Sequence, residues 1–355
     1  MFAGAWGFSI LRRKSEMKQR FTHLLYLAVA LGLIYLAACA APSPPAEIKP
    51  PPPSPVEVQV QPEKPEPPPE ELPQFPLTIV DDLGRTVQIA ELPQRIVSLA
   101  PSNTEIIYAL GLEDRLVGTT DYCDYPEAAK SKPRVSGYST PNLEKVVSVQ
   151  PELILAEAIH EKTVLPALEN LKLTVIVMSA KSLDTVLNDI KLVGQVNGKS
   201  QAAATLVDSL NARIQAIVSK TDTLTPEQRV KVLYVVWHDP IWTMGRETFI
   251  NDLIWESGGV NIFADDFEKS RVVSLEAIIQ KNPQVILVSG MGTTGDLIYK
   301  NIMKETRLSG VDAMRNNRIY KISDANLIER PGPRIVDGLE EVAKLLHPEI
   351  FGNVK

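Results

Sequence analysis

From about residue 77 onward, apolar residues fall into short unbroken runs separated by stretches of helical spacing. Runs at 96–99, 116–119, 153–156 and 174–178 have the length of strands buried on both faces, and a second set recurs at 232–237, 285–289 and 319–322. Strands that alternate with helical patterns in this way build parallel βαβ units. The pattern therefore predicts an α/β fold of two Rossmann-like lobes with parallel sheets. Between the two sets, Leu183, Val186, Leu187, Ile190 and Val193, then Leu206, Val207, Leu210, Ile214 and Ile217, recur at helical spacing. A single long interdomain helix is the expectation here, with a break near Asn197-Gly198 as the variant.

The first 76 residues have no such pattern. Arg12, Arg13, Lys14, Lys18 and Arg20 precede an uncharged apolar segment at 24–38, the order of a secretory signal. Leu36-Ala37-Ala38-Cys39 resembles a bacterial lipobox, with Cys39 as the lipidated residue. The competing reading is an uncleaved anchor that continues to Ala41. Between Pro42 and Pro76 lie 15 of the chain's 28 prolines. Such a composition makes a tether, and at about 3.1 Å per residue it reaches roughly 100 Å. The expected organisation is a signal with lipobox at 1–39, a linker at 40–76, one lobe at 77–180, the connecting helix at 181–220 and the second lobe at 221–355.

Charge removes one class of partner. A net charge of -6 and a pI near 5.5 offer no basic surface for phosphates, so nucleic acid is not expected. Two cysteines, Cys39 and Cys123, do not make a disulfide framework.

Within the globular part, residues 142–156 and 274–288 align without a gap. Asn142 matches Ser274, Glu144 matches Glu276, and Pro151 matches Pro283. Each copy starts with an N-cap residue, runs as a short helix, stops at proline and enters a buried strand. Glu144 and Glu276 fall in the first helical turn, where the helix dipole alone favours an acid. Their recurrence on both lobes adds a second reading, in which each engages an arginine of a two-fold symmetric partner.

Other motifs carry less. Gly290-Met291-Gly292-Thr293-Thr294-Gly295 follows a predicted strand and matches a dinucleotide fingerprint, but Asp312 lies before the next strand, whereas the fingerprint needs an acid at that strand's end. His23, His160, His238 and His347 form no metal-ligand pattern, so no metal is expected. Cys123 reads as a packed thiol, and no Gly-x-Ser-x-Gly elbow occurs.

Three segments now carry a resemblance: Arg95-Ile96-Val97-Ser98-Leu99-Ala100-Pro101-Ser102-Asn103-Thr104-Glu105, Asp121-Tyr122-Cys123-Asp124-Tyr125-Pro126 with Asn142-Leu143-Glu144, and Glu329-Arg330-Pro331-Gly332-Pro333-Arg334. From about Arg95 to the C-terminus the chain resembles the cobalamin-binding subgroup of importer substrate-binding proteins. That resemblance implies two α/β lobes joined by one long helix, an ABC-type permease as partner, a corrinoid held between the lobes, and no catalysis. It implies ligand contacts at Ser102, Tyr122, Tyr138 and Arg330, with Trp242 and Asp324 beside them, and permease docking through Glu144 and Glu276. A tryptophan that some relatives carry before the second docking helix is replaced near Ser270. The expected protein is a lipid-anchored, extracytoplasmic monomer without a cofactor. Arg330 and Arg334 keep an iron siderophore or haem as the alternative ligand. An enzyme that uses a nucleotide at the glycine loop is the rival from another class.

Overall fold

The computed structural model describes residues 73–290 and 294–353. Cys39, the apolar segment before it and most of the proline-rich tether lie outside the described residues, as does the middle of the glycine fingerprint.

The described chain opens with an antiparallel hairpin of β1 (Leu77–Val80) and β2 (Thr86–Ile89). Asp81 shapes its turn, accepting from the backbone N–H of Leu83 at 3.2 Å and of Arg85 at 3.0 Å. Its other oxygen accepts from Val177 N at 3.1 Å and so fastens the hairpin to the first lobe. That lobe holds β3 (Ile96–Ser98), β4 (Leu116–Thr119), β5 (Leu153–Glu157) and β6 (Val175–Met178), all parallel in the order β4-β3-β5-β6. Helices α1 (Pro101–Ala109), α2 (Leu143–Ser148) and α3 (Val164–Asn170) cover it. Both sheet faces are packed, which is why the strands read as continuous apolar runs. Ile96, Leu153, Leu155 and Ile176 face one core, while Val97, Ile154, Val175 and Val177 face another.

The second lobe repeats this plan. Strands β7 (Val230–Val235), β10 (Gly259–Asn261), β12 (Val285–Val288) and β13 (Ile319–Lys321) are parallel in the order β10-β7-β12-β13. In both lobes the order is therefore second, first, third, fourth, so the internal sequence repeat is matched by a repeated topology. Helices α6 (Phe249–Glu256), α7 (Leu275–Lys281), α8 (Thr294–Lys304), α9 (Asp312–Arg315), α10 (Asn326–Glu329) and α11 (Ile335–Leu346) belong to this lobe. A small antiparallel sheet, β8 (Trp237–His238), β9 (Ile241–Thr243) and β11 (Arg271–Val272), is inserted after its first strand.

The connection between lobes takes the form with a break near Asn197-Gly198. It consists of two helices, α4 (Leu183–Val196) and α5 (Ser200–Thr221), folded back on each other. Gly198 adopts φ +69, a conformation costly for other residues, and Asn197 Nδ2 donates to Val193 O at 2.8 Å to close the end of α4. The helices then approach so closely that a Cβ at Gly194 would lie 2.4 Å from the Ala203 side chain. Leu187 and Ile190 of α4 share a core with Ile106 of the first lobe and Leu253 of the second. Each such aliphatic side chain stabilises the junction by roughly 1.5–3 kcal/mol, so the lobes are built on a common apolar base.

Candidate functional site

In sheets of this order the chain reverses direction between the first and third strands, and ligands settle beyond the carboxyl ends of those strands. Here those gaps lie between β3 and β5 in one lobe and between β7 and β12 in the other, and a cavity of about 270 Å³ opens between them. Ser102, Tyr138, Glu157 and Asp189 line it on one side, with Phe249, Glu329 and Pro331 on the other.

Glu157, at the end of β5, organises the first wall. Ser102 Oγ donates to one of its oxygens and Tyr138 OH to the other. The Tyr138 ring packs edge-on to His160, with centroids 5.8 Å apart. His160 Nδ1 accepts from Glu157 N at 3.0 Å, which leaves Nε2 to donate to Tyr138 O at 2.6 Å. His160 is thus a buried, satisfied structural histidine. Burial, and then the Glu157 charge, push the Tyr138 phenol well above its ordinary range, so it stays a donor. Asp189 of α4 is raised to about 9 by burial and then by the neighbouring Asp82 and Glu157, so at neutral pH its carboxyl is protonated.

The opposite wall has the same chemistry. Ser289 Oγ, just after β12, donates to Glu329, and Tyr234 OH donates to Glu329 Oε1 at 3.4 Å. Burial is the first cause that raises the Glu329 carboxyl.

At the rim, two arginines reach from the second lobe to the first. Arg330 Nη1 lies 2.6 Å from Asp124 Oδ1 and 3.5 Å from Glu105 Oε1, and its Nη2 donates to Tyr122 O at 3.4 Å. Arg334 holds Glu105 with Nη2 to Oε1 at 2.6 Å and Nε to Oε2 at 2.9 Å. Its guanidinium lies 3.7 Å from the centroid of the Tyr125 ring, a cation–π contact. Although burial pushes Asp124 upward, the hydrogen bond and charge of Arg330 hold it below its usual value. Gly332 sits against the first lobe, where a Cβ would come 3.4 Å from Ser102 O.

The expected ligand residues are therefore gathered in three places. Ser102 and Tyr138 meet through Glu157 on the cavity wall. Arg330 meets the Tyr122 backbone at the rim, and Asp324 Oδ2 stands 3.4 Å from Arg334 Nη1. Trp242 stands on the small sheet, in register with Trp237 and Val272, and the three are 38%, 40% and 40% exposed. They form an apolar row beyond the carboxyl end of β7. His238 next to it is engaged by Asn301, Nδ2 to Nε2 at 2.6 Å. A wider groove of about 580 Å³ lies between Phe263, Phe267 and α7; Val272 borders it, and none of the expected ligand residues lines it.

Glu144 and Glu276 are exposed in the first turns of α2 and α7. Asn142 and Ser274 cap those helices, accepting from Lys145 N at 3.0 Å and Ala277 N at 3.2 Å. Cys123 is buried with Sγ 3.2 Å from Thr120 Oγ1, and burial raises its thiol. Among the described residues no group of histidine, cysteine and carboxylate side chains can hold a metal.

Sequence reasoning did not single out Glu105, Glu157 or Val272 as site residues. Glu105 had one signal, an acid directly before the apolar pair Ile106-Ile107 in a helix that packs inward. Glu157 and Val272 depend on pairings made only in three dimensions.

The profile of the periplasmic binding protein family matches residues 96–325, well over half of the chain. This chain is a periplasmic binding protein. It belongs to the substrate-binding components of ABC importers, which are transport proteins and not enzymes. An uncharacterized ABC transporter substrate-binding lipoprotein of Bacillus subtilis is 34% identical over 282 residues, covering 78% of this chain and 87% of that one. The crystal structure of the periplasmic vitamin B12 binding protein of Vibrio cholerae superposes with a TM-score of 0.63 at 29% identity, covering 72% of this chain and 97% of that one. A periplasmic heme-binding protein from Roseiflexus, in apo form, gives a TM-score of 0.63 at 26% identity, covering 72% and 98%. As a periplasmic binding protein it acts outside the cytoplasm, binds a small molecule and works with a permease. Among the described residues no helix is long and apolar enough to cross a membrane.

Proposed function

We propose that this periplasmic binding protein captures a corrinoid between its lobes and delivers it to an ABC-type permease while tethered by a lipid on Cys39. One observation carries the choice of ligand: among the described residues no lysine or arginine lines the interlobe cavity, whereas Glu157, Glu329 and Asp189 do. An anionic ligand would meet acidic groups there rather than cations. A corrinoid presents neutral amides whose N–H groups those carboxyl and hydroxyl oxygens can accept, and a broad ring edge suited to Trp237, Trp242 and Tyr122. The vitamin B12 binding relative supports the same choice. A cavity of 270 Å³ falls below the roughly 300–1,000 Å³ of sites for drug-sized ligands, so the ligand enters by parting the lobes.

Delivery is assigned to Glu144 and Glu276, each in the first turn of an equivalent helix and each outside any ion pair given by the described residues. Paired acids on pseudo-equivalent lobes suit two arginines of a two-fold symmetric permease. The test is calorimetric titration of the purified full chain with cyanocobalamin, haem and an iron hydroxamate. Saturable one-to-one binding of cyanocobalamin is expected, and binding of haem or the hydroxamate in its place would discard the corrinoid while keeping the architecture. Membrane fractionation of Cys39→Ala tests the lipid, since retention in the membrane would favour an uncleaved anchor.

A further inference from the structure

We propose that Glu105 is a specificity-determining residue that closes the cleft to anionic ligands. The inference rests on reading the interlobe cleft as the ligand site. Arg330 and Arg334 are the cations at its rim, and both are largely enclosed, with side chains 13% and 16% exposed. Either would ordinarily bind a ligand carboxylate or hydroxamate. Glu105 forestalls this from the opposite lobe: its side chain is 2% exposed, it takes both hydrogen bonds of the Arg334 fork, and it stands 3.5 Å from Arg330. Asp124 occupies the remaining side of Arg330, and Asp324 approaches Arg334 at 3.4 Å. Two guanidinium charges thus meet three carboxylates.

An incoming anion gains Arg334 only by displacing Glu105, and a carboxylate buried to that degree is then left without its partner, whereas Arg330 is held chiefly by the half-exposed Asp124. The penalty falls on charged ligands alone. A neutral ligand that offers amide N–H groups competes for neither arginine, so the pairs re-form once it is seated, and discrimination comes from a built-in unfavourable contact with the wrong ligand. Glu105 would thereby separate a corrinoid binder from haem or siderophore binders of the same architecture.

The test compares the full chain with Glu105→Gln, which keeps the shape and removes the charge. Haem, haem dimethyl ester and cyanocobalamin are titrated by absorbance. Haem affinity is expected to rise about tenfold or more in the variant, as the Arg334 guanidinium released from Glu105 pairs with a propionate. The neutral diester and cyanocobalamin are expected to bind as they do to wild type. Asp124→Asn, at a half-exposed position, removes the close partner of Arg330 alone and is expected to give a smaller rise for haem only, which keeps the question answerable if Glu105→Gln does not fold. Unchanged haem binding in both variants, or equal gains for haem and its diester, would overturn the assignment. Wild type that already prefers haem to the diester would overturn both this role and the corrinoid reading. Wild type that binds no cyanocobalamin, with a haem gain in Glu105→Gln, removes the corrinoid and supports Glu105.

Discussion

Arg334 crosses from the second lobe to Glu105 of the first and grips both carboxylate oxygens, at 2.6 and 2.9 Å. Both members are enclosed, Glu105 almost wholly. Removing the cation while leaving the acid buried is the damaging change, so Arg334→Met is expected to lower unfolding free energy by about 3–5 kcal/mol. Urea denaturation followed by far-UV circular dichroism measures it. A loss under about 1 kcal/mol would mean that solvent screens the pair as it screens surface bridges.

Asp189 makes stability depend on pH in a direction that can be worked out. Its folded value, about 9, lies above the ordinary aspartate value near 3.8, because burial and the neighbouring Asp82 and Glu157 disfavour its charge. The folded state therefore binds more protons between those values, and this contribution to stability is fully present below the unfolded value and lost as pH rises through 9. Asn mimics the protonated acid. Asp189→Asn is expected to gain stability over wild type progressively from pH 5 to pH 9, read from urea midpoints. A difference that stays constant across that range would contradict a protonated Asp189.

The α/β class was legible because parallel strands buried on both faces must be apolar throughout, as in 153–156 and 285–288, and because those strands recur with α2 and α7 as an aligned repeat. The helix break was legible only as an option, since Gly198 is decisive through its positive φ and the Gly194–Ala203 approach, which sequence does not show. At the site, Ser102, Tyr138 and Arg330 were reached by resemblance. Their partners Glu157, Glu105 and Asp124 were not assigned, because these contacts join segments 19 to 225 residues apart. The inserted sheet escaped for a different reason: its strands are two or three residues long, too short for periodicity to register.

That sheet makes the proposed ligand contact of Trp242 testable. Its cross-strand partners are Trp237 and Val272, and pairs of this kind contribute roughly 0.2–1 kcal/mol each, so Trp242→Ala should change stability little. Its exposed face is available to a ligand instead. Cyanocobalamin is expected to quench the tryptophan fluorescence of wild type, and Trp242→Ala to weaken its binding about tenfold, the scale of a lost aromatic contact with its buried area. Full affinity in the variant would detach the small sheet from the ligand site.

Glu144 and Glu276 predict a separation between capture and delivery. Both point to solvent from helices whose caps are supplied by Asn142 and Ser274, so replacing the acids leaves the caps in place. Glu144 gives up its interaction with the helix dipole, and Glu276 gives up in addition a hydrogen bond with Ser274, both at exposed positions. Glu144→Ala with Glu276→Ala is therefore expected to bind cyanocobalamin with unchanged affinity in calorimetry while cellular uptake of labelled cyanocobalamin falls tenfold or more, since a charge-assisted contact is worth about 1.5–3 kcal/mol and two are removed. Each single variant should retain intermediate uptake, because the two contacts lie on different lobes and each still fixes one half of the partner. Uptake that survives the double change would return both glutamates to the ordinary role of first-turn acids, and loss of ligand affinity would place them in the cleft.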